Sequence, residues 1–185
     1  MSWPQLVILD RDGVINADSA NYIRAPREWQ PLDGSLDAIA RLHAAGILIT
    51  VATNQSGLAR GYFSRRTLYR IHEKMRKAVR AAGGDIATIA FCPHGPDDDC
   101  DCRKPRPGLL YRILDKHGVL ASDALLIGDS ERDLVAAHRA GVDAWLVRTG
   151  NGAKTESAWT GGPLKVVDNL AAAADELTTM RVAGG

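Results

Sequence analysis

Aromatic side chains make up 5% of the 185 residues, and cysteine occurs three times. So few rings leave little for a stacking platform of the kind that holds single-stranded nucleic acid. Three thiols cannot all pair within one chain, and a reducing compartment keeps them free, so a disulfide framework is excluded as the source of stability. The 23 Lys and Arg against 22 Asp and Glu leave a net charge of +1. That removes any general attraction to nucleic acid or to an anionic membrane, so anion binding has to be local. No apolar run approaches the ~20 residues of a membrane span. The opening MSWPQLVILD has no cationic leader, and its apolar run stops at Asp10. A cytoplasmic protein with neither nucleic-acid nor membrane partners is expected.

What is present is ordinary for a globular chain: 45% hydrophobic and 24% charged residues, without repeats or low-complexity linkers. One domain over residues 1–178 is expected, with 179–185 as a frayed tail. Aliphatic runs alternate with helical segments. The runs are LVIL (6–9), ILITVAT (47–53), DIATIAF (85–91), ALLIG (124–128), DAWLV (143–147) and KVV (165–167). Four helical segments lie between them and end at Gly46, Gly83, Gly118 and Gly141. In the second, Leu68, Ile71, Met75 and Val79 form one apolar face. This alternation predicts an α/β fold: a Rossmann-like, doubly wound, mostly parallel sheet with helices on both faces and no large cap domain. Residues 16–33 show no clear periodicity. Ligands in such sheets sit beyond the carboxyl ends of the strands, so chemistry is sought there.

The first run ends in LDRDGV. Asp10 and Asp12 flank Arg11, and the pair reads two ways: a polar turn, or a nucleophile with a general acid–base. In the second reading Asp12 needs a raised pKa to carry a proton. The second run ends in TNQSG, where hydroxyls, amides and backbone N–H groups can cradle phosphate oxygens. The fourth ends in LLIGDSERD. Asp129 sits at its tip; Asp133 follows one helical turn later, where an acidic first turn is favourable in any case. Oxygen ligands beside a phosphate suit magnesium.

The third run leads into FCPHGPDDDCDCRKPRPG, which holds every cysteine of the chain. Cys92, His94, Cys100 and Cys102 form a thiolate and imidazole set that suits tetrahedral zinc at a structural, zinc-binding loop over 92–102. A Cys100–Cys102 disulfide would be strained. Arg103 and Lys104 follow between prolines, placed to hold a phosphate. His43, His72, His117 and His138 fall in helical segments and read as packing or surface residues.

Asp10-Arg11-Asp12-Gly13, Thr53-Asn54-Gln55-Ser56-Gly57, Lys104 and Gly128-Asp129 together resemble the four motifs of the haloacid dehalogenase-like phosphohydrolases, over roughly residues 6–170. The CDCRKP loop narrows the resemblance to heptose bisphosphate 7-phosphatases, with histidinol-phosphate phosphatases as near relatives. The resemblance implies a phosphomonoesterase acting on a small phosphosugar as a monomer, with Mg2+ as cofactor beside the structural Zn2+. It implies that Asp10 is the nucleophile and a magnesium ligand. Asp12 is the general acid–base, its backbone carbonyl also on magnesium. Thr53 binds the transferring phosphoryl group and Lys104 neutralises it. Asp129 completes the metal site, with Ser130 beside it. Asn54, Gln55, Ser56 and Arg103 contact substrate, as does the stretch from Asp18 to Tyr22, through Asp18, Asn21 and Tyr22. The competing reading is a zinc-stabilised binding module without catalysis, against which the strand-end carboxylates and the low net charge both stand.

Overall fold

A computed structural model describes residues 3–183. Six parallel strands are ordered β3-β2-β1-β4-β5-β6. They are β1 (Leu6–Leu9), β2 (Leu48–Asn54), β3 (Thr88–Cys92), β4 (Ala124–Gly128), β5 (Asp143–Val147) and β6 (Lys165–Val167). The helices are α1 (Ser35–Ala44), α2 (Arg65–Ala81), α3 (Gly108–His117), α4 (Glu131–Ala140), α5 (Gly152–Ala158) and α6 (Leu170–Ala183). Among the described residues no helix is long and apolar enough to cross a membrane.

Parallel strands buried on both faces need a layer on each side, and the side chains of β1 show how it is met. Val7 and Leu9 pack with Ile39 and Leu42 of α1, Ile71 and Met75 of α2 and Leu177 of α6. Leu6 and Ile8 point the other way, to Leu109 and Ile113 of α3 and Ala136 and Ala137 of α4. β1 lies at the centre, between β2 and β4, where the strand order reverses. A crevice opens at the carboxyl ends of such strands.

The expected strands and four helices are present, with shifts of a few residues at their ends. β3 begins at Thr88, not Asp85. Gly46, Gly83, Gly118 and Gly141 all follow helices at positive φ. Two helices escaped the sequence reading. One is α5. The other is α6, which runs to Ala183, well into the expected tail; its Thr178 and Thr179 hydroxyls donate back to carbonyls of Ala174 and Asp175. Gly184 and Gly185 of that tail lie outside the described residues.

Residues 16–33 form no regular element beyond a 3-10 turn at Pro26–Glu28. They are pinned by one buried side chain. The Trp29 indole, 1% exposed, donates to Asn16 Oδ1 at 3.0 Å. Lys74 of α2 donates to the carbonyls of Pro26 and Trp29 at 2.8 and 2.7 Å. Deleting a buried aromatic ring costs about 3–5 kcal/mol. Trp29→Ala is therefore expected to lower stability to denaturant by that order; an unchanged unfolding midpoint would show that the segment is not held this way.

Candidate active site

Because the strands are parallel, β1, β2, β3 and β4 all deliver their last residues to one edge. Asp10 follows β1, and its N–H donates to Ile127 of β4 at 3.0 Å. Lys104 arrives from the loop after β3. Its backbone N–H donates to Asn54 Oδ1 at 3.1 Å, and Asn54 Nδ2 donates to its carbonyl at 2.9 Å. The ammonium, 2% exposed, lies 3.0 Å from Asp10 Oδ1 and 2.6 Å from Asp133 Oδ1. It also donates to the Ala52 carbonyl at 2.6 Å. Burial favours the neutral amine, but Asp10 and Asp133 outweigh it and hold Lys104 above the ordinary lysine range.

Asp129 and Asp133 complete an acidic knot. Asp133 is fully buried and caps α4, accepting from Ser130 N–H at 3.1 Å and Ser130 Oγ at 2.7 Å. Asp129 Oδ2 accepts from the Asn151 N–H at 2.8 Å and Asn151 Nδ2 at 3.2 Å. Two glycines make room for these carboxylates. A Cβ on Gly13, which has φ +83°, would sit 2.2 Å from Asp129 Oδ2; one on Gly128 would sit 2.3 Å from Asp133 Cβ. Any larger residue at either position would push an aspartate out of place.

Oxygens of Asp10, Asp129 and Asp133 lie within 4.8 Å of one another. Lys104 is the buried cation beside them. Burial above all, with Asp133, Asp129 and Asp12 adding to it and Lys104 opposing, pushes Asp10 up to about 7. Burial does the same to Asp129, with Asn151 opposing and Asp133 adding, to about 6. Hard oxygen donors in excess of positive charge fit a magnesium ion. One carboxylate is added to the expected side chains: Asp133, read from sequence as an acidic first turn, lies with Asp10 and Asp129.

Asp12 is turned to another cation. Arg11, 1% exposed, donates from Nε and Nη2 to Asp12 Oδ1 at 3.1 and 2.9 Å, and from Nη2 to Oδ2 at 3.0 Å. Asn16 Nδ2 and Gln55 Nε2 donate to the same carboxylate at 2.9 and 3.0 Å. Burial works against the charged form, but Arg11 and these amides overcome it and hold Asp12 below the usual carboxylate range. In the resting site this is the opposite of the raised pKa expected of a proton donor: a buried guanidinium faces the carboxylate.

The loop that carries Lys104 begins in a knot of soft donors. Cys92, His94 Nδ1, Cys100 and Cys102 are spaced 3.2–3.6 Å apart, and none of the thiols forms a disulfide. Burial pushes the Cys92 thiol up, so this knot holds protons that a metal would displace. A complete tetrahedral set with no spare position fits structural zinc. Arg103 Nη1 donates to the His94 carbonyl at 3.3 Å, tying the cation to the knot.

A cavity of about 310 Å³ gathers most of the expected residues: Asp10, Asp12, Asp18, Tyr22, Thr53, Asn54, Gln55, Ser56, Arg103, Lys104 and Asp129. Two are absent from its walls. Ser130 turns its hydroxyl to Asp133, and Asn21 is exposed on a separate groove beyond the left-handed turn at Tyr22 (φ 63°). The walls also include Arg11, Arg60, Arg132, Asp133 and Asn151, none of which was singled out as a site residue. Arg11 was visible only as a spacer between two aspartates. His72, expected to be a packing residue, has its Nε2 3.3 Å from Arg11 Nη1.

The D-glycero-beta-D-manno-heptose-1,7-bisphosphate 7-phosphatase of Bordetella bronchiseptica is 51% identical to this chain over 175 residues, 94% of this chain and 97% of that one. The chain belongs to this phosphatase family. The enzyme of the same name from Pseudomonas putida is 47% identical over 173 residues, 94% and 99% of the two chains. Residues 101–173 match the family model described as HAD-hydrolase-like. A crystal structure of D,D-heptose 1,7-bisphosphate phosphatase from B. bronchiseptica, complexed with magnesium and phosphate, superposes with a TM-score of 0.92 at 49% identity, over 95% of this chain and 99% of that one. The fold is thus that of haloacid dehalogenase-like phosphoric monoester hydrolases.

The raised values of Asp10 and Asp129 give a stability signature. Folded protein binds protons that the unfolded chain releases between about pH 4 and pH 7. His72, held down to about 3, works the other way, because the unfolded chain binds a proton there that the folded protein does not. With two raised carboxylates against one depressed imidazole, unfolding free energy in chelator is expected to fall, by the equivalent of one group, as pH rises from about 4 to about 6. Saturating magnesium, which favours the charged carboxylates, should flatten the fall. A level profile in chelator would contradict the electrostatics of the knot.

Proposed function

We propose that this chain hydrolyses the 7-phosphate of D-glycero-D-manno-heptose 1,7-bisphosphate, with magnesium, through a phosphoryl group carried on Asp10. The carrying observation is the buried Lys104 ammonium, 3.0 Å from Asp10 and 2.6 Å from Asp133 in a cavity that also takes Thr53 and Asn54. A magnesium ion held by Asp10, Asp129 and Asp133 would supply the positive charge that lets an anionic nucleophile approach an anionic ester.

The chain's own groups account for the steps. An Asp10 oxygen attacks phosphorus, and the bond from phosphorus to the sugar oxygen breaks. Lys104 holds Asp10 in place and offsets charge on the phosphoryl oxygens. Asp12 rotates away from Arg11 toward the ester, takes up a proton from solvent once it is free of the guanidinium, and gives that proton to the leaving oxygen. It then takes a proton from the water that attacks the aspartyl-phosphate, and inorganic phosphate departs. All of these groups come from one chain, so a monomer suffices.

The substrate reading rests on charge. Arg60, Arg103 and Arg132 line the same cavity, and among the described residues none of them pairs with a carboxylate. Burial, and next the charge of Arg132, depress the pKa of Arg103, as expected where like charges gather. A second phosphate would neutralise this rim. Histidinol phosphate, the alternative with a similar metal loop in its phosphatases, would bring an ammonium to it instead.

Asp10→Asn is expected to remove turnover while the protein stays folded, and Asp12→Asn to lower kcat by ~10²–10⁴. Phosphate release should be faster from the heptose bisphosphate than from histidinol phosphate. Near-normal turnover in Asp10→Asn would refute the nucleophile; a preference for histidinol phosphate would refute the substrate. Elemental analysis of protein purified without added metal should find about one zinc per chain. Full activity with no zinc would remove its role in seating Arg103 and Lys104.

A further inference from the structure

Behind Asp12 lies a buried chain of contacts that phosphoryl transfer itself does not require. His72 sits on the apolar face of α2 beside Leu68, Ile71 and Met75, and is 5% exposed. Its Nε2 lies 3.3 Å from Arg11 Nη1. Arg11 Nη2 reaches both Asp12 and, at 3.3 Å, Gln55 Oε1. A guanidinium can only donate, so the imidazole nitrogen facing it is an acceptor and the proton sits on Nδ1. The other side of the ring meets Phe91 of β3 edge-on, centroids 6.0 Å apart. Nothing else in the described network accepts from Arg11 Nη1. A cation with one end unanchored would follow Asp12 whenever that carboxylate moved.

We propose that His72 is a positioning residue for the general acid–base: it fixes Arg11 from behind, so that Asp12 has a defined resting place from which it swings to the leaving oxygen and to which it returns between turnovers. The inference rests on Asp12 being the acid–base of the proposed reaction. Burial, then the charge of Arg11, push the His72 imidazole down to about 3, so it stays a neutral acceptor throughout the working range. His72 therefore acts by direction and not by charge. A histidine that only filled space would need no nitrogen facing the guanidinium.

A leaving-group series tests this. An alkyl phosphate, whose alkoxide leaves poorly, needs proton delivery; p-nitrophenyl phosphate, whose phenolate leaves readily, needs little. His72→Leu is expected to lower kcat/KM for the alkyl ester at least ~10-fold more than for the nitrophenyl ester, because kcat/KM reports the step in which the leaving oxygen takes its proton, whereas hydrolysis of the aspartyl-phosphate is common to both. His72→Gln, which offers a neutral acceptor at similar reach, should restore most of the alkyl rate. His72→Met serves if the leucine variant does not fold. Equal losses on both esters, or no rescue by glutamine, would overturn the proposal and leave His72 a packing residue. Asp12→Asn in the same series separates the two readings. If Asp12→Asn lacks the leaving-group bias, the acid–base assignment fails. If Asp12→Asn shows the bias and His72→Leu does not, only the positioning role fails.

Discussion

One ion cluster holds the site together: the Lys104 ammonium between Asp10 and Asp133, sealed from water and steadied by the Ala52 carbonyl. It joins the ends of three strands that are far apart in sequence. It also sets a constraint on everything near it. Removing one partner from a buried pair costs about 3–5 kcal/mol, because the other charge is left uncompensated. Lys104 therefore has to arrive at a fixed point, and the chain before it is built to deliver it there. The cysteine and histidine knot closes the loop, Asn54 clamps the Lys104 backbone from both sides, and Arg103 is tied back to His94. Metal-loop chemistry and phosphate chemistry are one mechanical unit.

The two aspartates of the first motif share a turn and live in opposite environments. Asp10 shares a dry pocket with two other carboxylates and one ammonium, and is pushed up to about 7. Asp12 lies in the fork of Arg11 with two amides and is held low. Pushing apart the pKa values of neighbouring carboxylates is how one site assigns an acid and a nucleophile. In the resting state Asp10 is the raised member and Asp12 the lowered one. Under the proposed roles, Asp10 would need added positive charge to ionise fully, and Asp12 would need to leave its guanidinium to take up a proton.

Much of this was legible in the sequence. Strand ends carried the chemistry because parallel strands finish at one edge, and LDRDGV, TNQSG, RKP and GDSERD marked those ends. The cysteine spacing announced its knot because soft donors in such density have few other uses. What stayed hidden depended on side-chain direction. Asp133 looked like an ordinary acidic first turn, and it is one, but Gly128 lets it lean onto Lys104. Arg11 looked like a spacer and proved to be the partner of its neighbour. Asn151 comes from beyond β5, and reaches Asp129 because the turn after β5 crosses back over Gly13. Helices α5 and α6 were missed because α5 is short and α6 runs on through Thr178 and Thr179, where a tail was expected.

The central claim is that the phosphoryl group passes through Asp10 on its way to water. The stereochemical course at phosphorus tests it most directly, using a substrate made chiral at the transferred phosphate by isotopic labelling. Two successive in-line displacements, first by Asp10 and then by water, each invert the centre, so the account predicts net retention. Net inversion would mean that water attacks the substrate directly, and would contradict the role given to Asp10.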